Sequence, residues 1–269
     1  MKKYRIGDFA RELGVTPDFL KYCEHKGVIT PHAEPNGYRY YEFTQAAPVI
    51  EYMKLKNQAF TGEEIYDILH ESSFEESVAH MQSRCADIER RMAFDEALLG
   101  YYKELQQIFS NFGEEPVWQV RRTEGLYFLP HSVDLEFIGE EAIRDCVRAW
   151  NPYMPVVMST KRLPLSEDGR LLAEGEGLIW GYSVPEEFAR RVGLPTQAPV
   201  SYVPPCRCLE VFLKRSLAVR GTAYLRYAEA VMERNGLRPA GDAHCRVIAK
   251  IWEDGVRMEY SVLYIPLNG

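Results

Sequence analysis

The chain has 269 residues, of which 46% are hydrophobic and 12% aromatic, and its formal net charge is −7. This length accommodates two domains and a connecting element. No stretch reaches the roughly 20 apolar residues of a membrane span, and residues 1–9 lack the apolar region of a secretory signal. The composition therefore excludes a bundle of membrane helices, and we expect a cytoplasmic protein with no membrane partner.

The first 41 residues predict two short helices followed by a hairpin. In the first helix, apolar residues recur at helical spacing on one face, at Ile6, Phe9, Ala10 and Leu13. Gly14 ends that helix, because glycine adopts a left-handed backbone without a Cβ penalty. Thr16 is the expected N-cap of the second helix, and Pro17 suits its first position. The hairpin is predicted at residues 37–41, Gly-Tyr-Arg-Tyr-Tyr.

The charge is unevenly distributed along the chain. Residues 1–60 contain nine Lys and Arg against seven Asp and Glu, so this part is mildly basic and the acidity lies downstream. A weakly basic module can hold phosphates through helix N-termini and a few placed side chains, but a single copy would bind feebly. If this module binds a nucleic acid, dimerisation would supply the affinity that a single copy lacks.

The N-terminal segment resembles the MerR family of transcription regulators. The resemblance is carried by YRIGDFARELGVT (4–16), LKYCEHKGVITP (20–31), NGYRYY (36–41) and AFTGEEIYDIL (59–69). It implies a winged helix-turn-helix that binds double-stranded promoter DNA and acts on RNA polymerase. The family usually has Arg-Tyr-Tyr or Arg-Tyr-Trp where this chain has Lys21-Tyr22-Cys23. Lys holds a phosphate as a point charge but cannot form the bidentate hydrogen bonds of Arg. We therefore expect the second helix to keep its place in the DNA groove and its preference for base sequence to change.

Six side chains are predicted to contact DNA. Four belong to the second helix and its cap and should lie near base edges or flanking phosphates: Thr16, Asp18, Lys21 and Tyr22. Tyr38 and Arg39 of the hairpin, which is the wing, should lie on the DNA backbone. A carboxylate near phosphate is unfavourable unless it accepts from cytosine, so Asp18 has an alternative role as a first-turn residue that favours the helix dipole.

A long helix is predicted next, from Glu75 to Phe112. Apolar residues alternate by four and three along it, at Val78, Met81, Cys85, Ile88 and Met92, followed by Leu99 and Tyr102. This spacing is typical of a coiled coil, and MerR-like proteins pair an antiparallel helix here to form a homodimer. The alternative is a helix that packs on its own domain. The predicted domains are a DNA-binding domain at 1–73, a dimerisation helix at 74–113 and an effector domain at 117–269.

The residues after Glu114-Glu115-Pro116 predict short strands and helices in a repeated order. Two strands (117–131), a helix (140–150) and two further strands are followed by a strand (207–216), a helix (222–234) and a closing hairpin over Asp254-Gly255. This duplicated β-α-β-β order, with the ending LYIPL, resembles the GyrI-like effector-binding domain and implies a BmrR-like multidrug-binding type. The predicted fold class is α+β: a winged helix-turn-helix, a long antiparallel dimerisation helix and a duplicated β-α-β-β domain.

Alternation along the strands predicts a ligand site in this domain. Glu210 shares a strand face with Phe212, Tyr260 shares one with Tyr264, and Trp180 shares one with Tyr182. A carboxylate among aromatic rings suits a flat aromatic or cationic organic effector. Relatives often carry Glu two residues before the tyrosine of the closing motif, where this chain has Val262, which counts against a simple lipophilic-cation specificity. The alternative is that these aromatics are ordinary core residues.

The six cysteines, Cys23, Cys85, Cys146, Cys206, Cys208 and Cys245, lack the spacing of a metal or iron–sulfur site. We therefore expect free thiols, no metal and no cofactor. The predicted function is that of a dimeric, ligand-responsive regulator that distorts an inverted-repeat promoter to activate transcription, and not that of an enzyme. Two alternatives remain open: a ligand-insensitive repressor, and a hydrolytic effector domain that uses Cys206, Cys208 or His244.

Overall fold

The structure is a computed structural model that describes residues 2–33, 38–113, 116–167, 169–171, 177–217 and 223–268. The chain divides into two compact units, Met1–Glu89 and Arg90–Gly269. We call the first unit the head and the second the sheet unit, and each is described by itself.

Among its described residues, the head contains four short helices, the first part of a longer helix and a small antiparallel sheet. In chain order its elements are β1 (Lys3–Arg5), α1 (Ile6–Leu13), α2 (Pro17–His25), β2 (His32–Ala33), β3 (Arg39–Glu42), α3 (Ala46–Asn57) and α4 (Gly62–His70). The strand order is β1-β3-β2. Strands β2 and β3 form the predicted wing, whose Gly37 lies outside the described residues.

Local sequence signals set the helix boundaries of the head. Gly14 has φ +66° and ends α1, while the Thr16 hydroxyl caps α2 by accepting from the Phe19 amide at 3.2 Å. Thr61 and Glu64 form a capping box that begins α4. The inward faces of these helices then meet in one core, which contains Phe9, Ala10, Leu20, Cys23, Tyr41, Val49, Tyr52, Leu55 and Ile65.

Helix α5 runs from Phe74 to Phe109 and is the longest element of the chain. The predicted coiled-coil stripe is exposed along it, with exposed fractions of 49% at Met81, 48% at Ile88, 65% at Met92, 56% at Leu99 and 54% at Tyr102. A neighbouring stripe instead packs within the sheet unit, where Leu98 and Ile108 join two apolar clusters. The helix thus has one packed face and one apolar face open to solvent.

The sheet unit is built on one antiparallel sheet. Its further elements are β4 (Val117–Arg122), β5 (Leu126–Val133), β6 (Glu136–Phe137), α6 (Glu141–Trp150), β7 (Met158–Leu163), β8 (Ile179–Pro185), α7 (Glu186–Val192), β9 (Ser201–Val203), β10 (Arg207–Ser216), α8 (Ala223–Arg234), β11 (Ala243–Glu253) and β12 (Val256–Pro266). The strand order is β4-β10-β12-β11-β7-β8-β5-β6, and β9 pairs with β5.

The order of strands shows two matching halves. One half has the chain order β5-α6-β7-β8 and the spatial order β7-β8-β5, and the other has β10-α8-β11-β12 and the spatial order β10-β12-β11. The halves meet where β11 pairs with β7, so that Thr160 lies opposite Arg246. This arrangement matches the predicted repetition of strand, helix and two strands.

The two faces of the sheet have different environments. One face packs under α8 through Leu209, Val211, Leu213, Leu263 and Ile265. The register places Cys208, Glu210 and Phe212 on the opposite face of β10, beside Pro266, Tyr264 and Val262 of β12. The face away from α8 is therefore the one that can carry a site.

The predicted fold class is confirmed: a head with two short helices and a wing, a long helix and an antiparallel sheet form a mixed α and β protein. Glu114, Glu115 and Thr222, which belong to the predicted boundary and helix, lie outside the described residues. The domain boundaries at 73 and 113 stay predictions, and the compact units divide within α5. Strands β6 and β9 and helix α7 had no counterpart in the sequence prediction.

Candidate functional site

The head has a cleft between the start of α1, helix α2 and the wing. It has a volume of about 510 Å³ and is lined by Arg5, Ile6, Gly7, Asp8, Lys21, Tyr38 and Arg39. Three of the six predicted DNA-contacting residues, Lys21, Tyr38 and Arg39, therefore lie together. The side chains of Arg5, Lys21 and Arg39 are exposed, so three cations border one concave surface.

Arg5 was missed by the sequence reasoning. It lies opposite Tyr40 in the pairing of β1 with β3, and its guanidinium carbon is 5.0 Å from the centre of the Tyr38 ring. Its position directly before α1 was the available signal, because a residue at a helix start lies near the free amides that bind anions. The strand pairing that brings it to the wing was not predictable from local sequence.

The other three predicted DNA contacts do not line the cleft. The Thr16 hydroxyl is used as a helix cap, and Asp18 accepts from the Lys21 ammonium at 2.9 Å on the exposed surface. The Tyr22 hydroxyl accepts from the Tyr52 hydroxyl at 3.1 Å. Contacts of these residues with DNA stay predictions.

Glu24 holds the wing against α2. Its carboxylate accepts from the Arg39 guanidinium at 2.7 Å and from the Tyr41 hydroxyl. Burial and the hydrogen bond to Glu24 raise the pKa of Tyr41, so its hydroxyl remains a donor at neutral pH. Arg39 is thereby positioned at the cleft by a partly buried ion pair.

The sheet unit contains a cavity of about 700 Å³ on the face away from α8. Helix α5 contributes Tyr101 and Glu104 to its wall, and α7 contributes Phe188 and Arg191. The floor consists of side chains from six strands, among them Arg121, Cys208, Tyr264, His244, Arg246, Thr160, Met158 and Ser183. The floor is mainly polar, whereas the walls include Val156, Leu126, Pro185 and Val203.

Two titratable groups of the floor are neutral at physiological pH. Burial, followed by the charge of Arg162, lowers the pKa of His244 to about 4. Burial raises the pKa of Tyr264 to about 12, against the opposing effect of Arg246. The cavity floor therefore offers an uncharged imidazole and a phenol beside the guanidinium of Arg246.

Cys206 and Cys208 also line the cavity, with their sulfur atoms 3.3 Å apart. Burial, followed by the hydrogen bond with Cys206, raises the pKa of Cys208 to about 12. Because the thiolate is the nucleophilic form of cysteine, Cys208 is not activated for covalent catalysis. All six cysteines are free thiols.

Of the six predicted ligand-binding residues, the structure brings only Tyr264 to the cavity lining. Glu210 is 2% exposed, and its carboxylate accepts from Gln119 at 2.5 Å and pairs with Arg121 at 3.3 Å. Phe212 and Tyr260 pack against the Phe112 ring at centroid distances of 5.9 and 5.0 Å. These three residues lie on the face of the sheet that carries the cavity. Their side chains contact other residues of the protein and do not line the cavity.

Trp180 and Tyr182 share a face, as alternation predicted, but it is the other face of the sheet. Trp180 packs with the cluster under α8 and has the Lys161 ammonium 4.7 Å from its ring centre. Tyr182 packs with the cluster that contains Trp150 and Phe188. The sequence analysis named His244 only as a candidate for hydrolytic chemistry and missed Arg246, although their two-residue spacing in a strand was a signal that they share a face.

The described residues provide neither a membrane-spanning helix nor a cluster of metal ligands. No helix there has both the length and the apolar composition needed to cross a membrane. In the same part of the chain, no group of three or more His, Cys, Asp or Glu side chains is arranged to hold a metal ion.

Several solved structures are similar to this chain. EcmrR, in its complex with DNA in EcmrR-RPo, is 17% identical with a TM-score of 0.39, and the match covers 98% of this chain and 99% of EcmrR. A MerR family transcriptional regulator from Bacillus cereus is 18% identical with a TM-score of 0.36, covering 42% of this chain and 87% of that one. A hydrolase from Listeria innocua is 12% identical with a TM-score of 0.39, covering 62% and 98%.

A family model adds a match in sequence. No curated protein matches the chain. Residues 5–41 match the model of the MerR family regulatory protein, and this range includes α1, α2 and the wing with its cleft. Residues 5–41, which border the cleft of the head, therefore match the MerR family in sequence.

Proposed function

We propose that this protein is a dimeric transcription regulator that binds promoter DNA through its head and a small organic effector in the cavity of its sheet unit. The observation that carries the proposal is the cleft of the MerR-type domain, where Arg5, Lys21 and Arg39 border one concave surface. Cations placed in this way neutralise DNA phosphates, and α2 beside them is the element that would enter the major groove.

The partners follow from this geometry and from the resemblance to the MerR family. Because one head has few cations, it would bind DNA weakly. Two heads related by a two-fold axis would bind the two halves of an inverted repeat, and the dimer would gain affinity from both half-sites. The exposed apolar stripe of α5, from Met81 to Tyr102, supports pairing with a second copy of the chain. RNA polymerase is the proposed third partner, and the cytoplasm is the proposed location.

The effector would act by shifting the protein between two states. Untwisting or bending a promoter of this size costs about 1 to 6 kcal/mol, and a ligand can supply this only through different affinities for the two states. The rings of Tyr101, Phe188 and Tyr264 in the cavity lining support an aromatic effector. The two matching half-sheets support the GyrI-like, BmrR-like type of effector domain.

The proposed role of the head predicts that two variants lose affinity for DNA. Arg5→Ala and Lys21→Ala should each weaken binding to a duplex obtained by in vitro selection, and each should reduce the slope of log affinity against log salt by about one unit per phosphate contact. Fluorescence anisotropy at several salt concentrations measures both quantities. Lys103→Ala, an exposed cation of the sheet unit, is the matched control. Unchanged slopes in both head variants would contradict the assigned cleft.

The effector part predicts a link between stability and transcription. A compound that fills the cavity should raise the melting temperature of the purified protein, because it binds the folded state alone. The same compound should change the footprint at the promoter spacer and the yield of transcript in vitro. Stabilisation without a change in footprint or transcript would favour a ligand-insensitive repressor, and turnover of the compound would favour an enzyme.

A further inference from the structure

The cavity floor carries three buried polar atoms that have no hydrogen-bond partner within the protein. They are the His244 Nε2, the Arg246 Nε and the Tyr264 hydroxyl. His244 is 7% exposed, and all three residues line the cavity. Since nearly all buried polar groups in native proteins are paired, three unpaired groups around one cavity indicate a ligand that pairs them.

The three groups lie close together on two paired strands. His244 and Tyr264 are direct partners in the pairing of β11 with β12, and Arg246 is two residues further along β11 on the same face. The guanidinium carbons of Arg121 and Arg246 lie 5.9 and 5.8 Å from the centre of the Tyr264 ring. Two cations therefore flank the phenol whose hydroxyl is unpaired.

The chemistry of these groups is mainly that of donors. A guanidinium N–H can only donate, a phenol that stays protonated can donate, and a neutral imidazole can carry its proton on Nε2. Arg246 already donates through a terminal nitrogen to Glu104 at 2.8 Å, and its Nε–H, which has no partner within the protein, is available to a ligand. Acceptor oxygens on the ligand are the complement of this set.

The carboxylates near the floor do not favour a cationic ligand. Glu104 is paired with Arg246, Glu96 is paired with Arg191 at 2.8 Å, and Glu210 is buried against Arg121. Glu124 and Glu187 also line the cavity, but they belong to the β4–β5 connection and to α7, not to strands of the floor. At the buried end of the cavity, the Glu104 carboxylate is therefore already paired with a cation of the protein.

We propose that the effector is an organic carboxylate whose oxygens accept hydrogen bonds from Tyr264, Arg246 and His244. Its apolar body lies against the walls formed by Val156, Leu126 and Phe188. This inference rests on the proposed function of the cavity as an effector site. The inference makes the proposed function more specific, because it identifies the effector as an organic acid and not a lipophilic cation.

Two dyes of one skeleton test the charge preference. Fluorescein carries a free carboxylate, and rhodamine 123 has the same xanthene and phenyl rings with the carboxyl group esterified and a net positive charge. We expect the full-length protein to bind fluorescein more tightly than rhodamine 123 in titrations followed by fluorescence anisotropy. Tyr264→Phe should weaken fluorescein binding about tenfold, since one hydrogen bond to a charged acceptor is lost.

The variant is informative because the hydroxyl it removes has no partner in the protein. Its melting temperature should be equal to or above that of the parent chain, so weaker binding cannot be assigned to unfolding. Tyr182→Phe, on the other sheet face, is the matched control and should bind fluorescein as the parent does.

The remaining outcomes separate this inference from the proposed function. Preference for rhodamine 123, or fluorescein binding that Tyr264→Phe leaves unchanged, would overturn the carboxylate class and leave an effector cavity in place. Failure of both dyes to bind would overturn the cavity as a site for organic molecules of this size, and with it the effector part of the proposed function.

Discussion

Glu259→Gln is expected to destabilise the sheet unit by about 3 to 5 kcal/mol, the usual cost of breaking a buried ion pair from one side. Glu259 is fully buried, and its carboxylate accepts from Lys161 at 2.6 Å and from Arg215 at 2.9 Å. Lys161 is only 3% exposed, so the neutral amide would leave a buried ammonium without its counter-charge. Denaturant unfolding followed by circular dichroism measures the loss.

The matched control is Glu253→Gln. Glu253 belongs to the same closing hairpin as Glu259 and pairs with Lys214 of β10 at 2.7 Å. The side chains of Glu253 and Lys214 are both about one-third exposed. Such pairs contribute about 0 to 1 kcal/mol, because solvent screens them. If the two variants lose the same free energy of unfolding, burial does not determine how much the Glu259 ion pair stabilises the fold.

The same carboxylate predicts how stability depends on pH. Burial alone would raise the pKa of Glu259, but Lys161 and Arg215 outweigh burial and lower the pKa below its ordinary value of 4.5. A lowered pKa in the folded state means that the stabilisation is present above pH 4.5 and is lost as the pH falls through the folded-state pKa. The free energy of unfolding of Glu259→Gln should therefore decline less on acidification than that of the parent chain.

Ile88→Glu is expected to convert a dimer into a monomer. Ile88 is 48% exposed at the centre of the apolar stripe of α5, so the change should not disturb the fold of one chain. If α5 pairs with α5 of a second copy, Ile88→Glu would place a carboxylate from each copy in the apolar interface. Burying these two charges is unfavourable and would weaken the pairing. Sedimentation velocity measures the mass, and anisotropy with the selected duplex should show weaker DNA binding.

Ser83→Glu provides the control for the dimer prediction. Ser83 is exposed on the opposite side of α5 from the stripe, and its variant adds the same charge to the same helix. It should leave the mass unchanged. A parent chain that sediments as a monomer, or an Ile88→Glu chain that remains a dimer, would contradict pairing through this stripe.

The head was the more predictable part, because its signals are local. Gly14, Thr16 and Pro17 determine the turn and the start of α2 through backbone geometry and capping within a few residues. The cleft was only partly predictable. Arg5 reaches it through pairing with a strand more than 30 residues away, and the sequence carries no local record of that pairing.

The cavity was less predictable for the same physical reason. Alternation shows that Trp180 and Tyr182 share a face, but which face is decided by the register of β8 against β7, where they lie opposite Lys161 and Ser159. Glu210 was correctly placed beside an aromatic residue, yet Arg121 and Gln119 from β4 occupy its carboxylate. Contacts between strands distant in sequence determined both outcomes.

The matching half-sheets have a consequence for how such a cavity can evolve. A domain made of two identical half-domains would repeat every side chain about its two-fold axis, so each donor on one side would recur on the other. In this chain the halves share one polypeptide, and Arg246 of β11 lies opposite Thr160 of β7 where they join. Two halves of matching strand order but different sequence thus permit an asymmetric site, in which one half supplies the guanidinium and the other a hydroxyl.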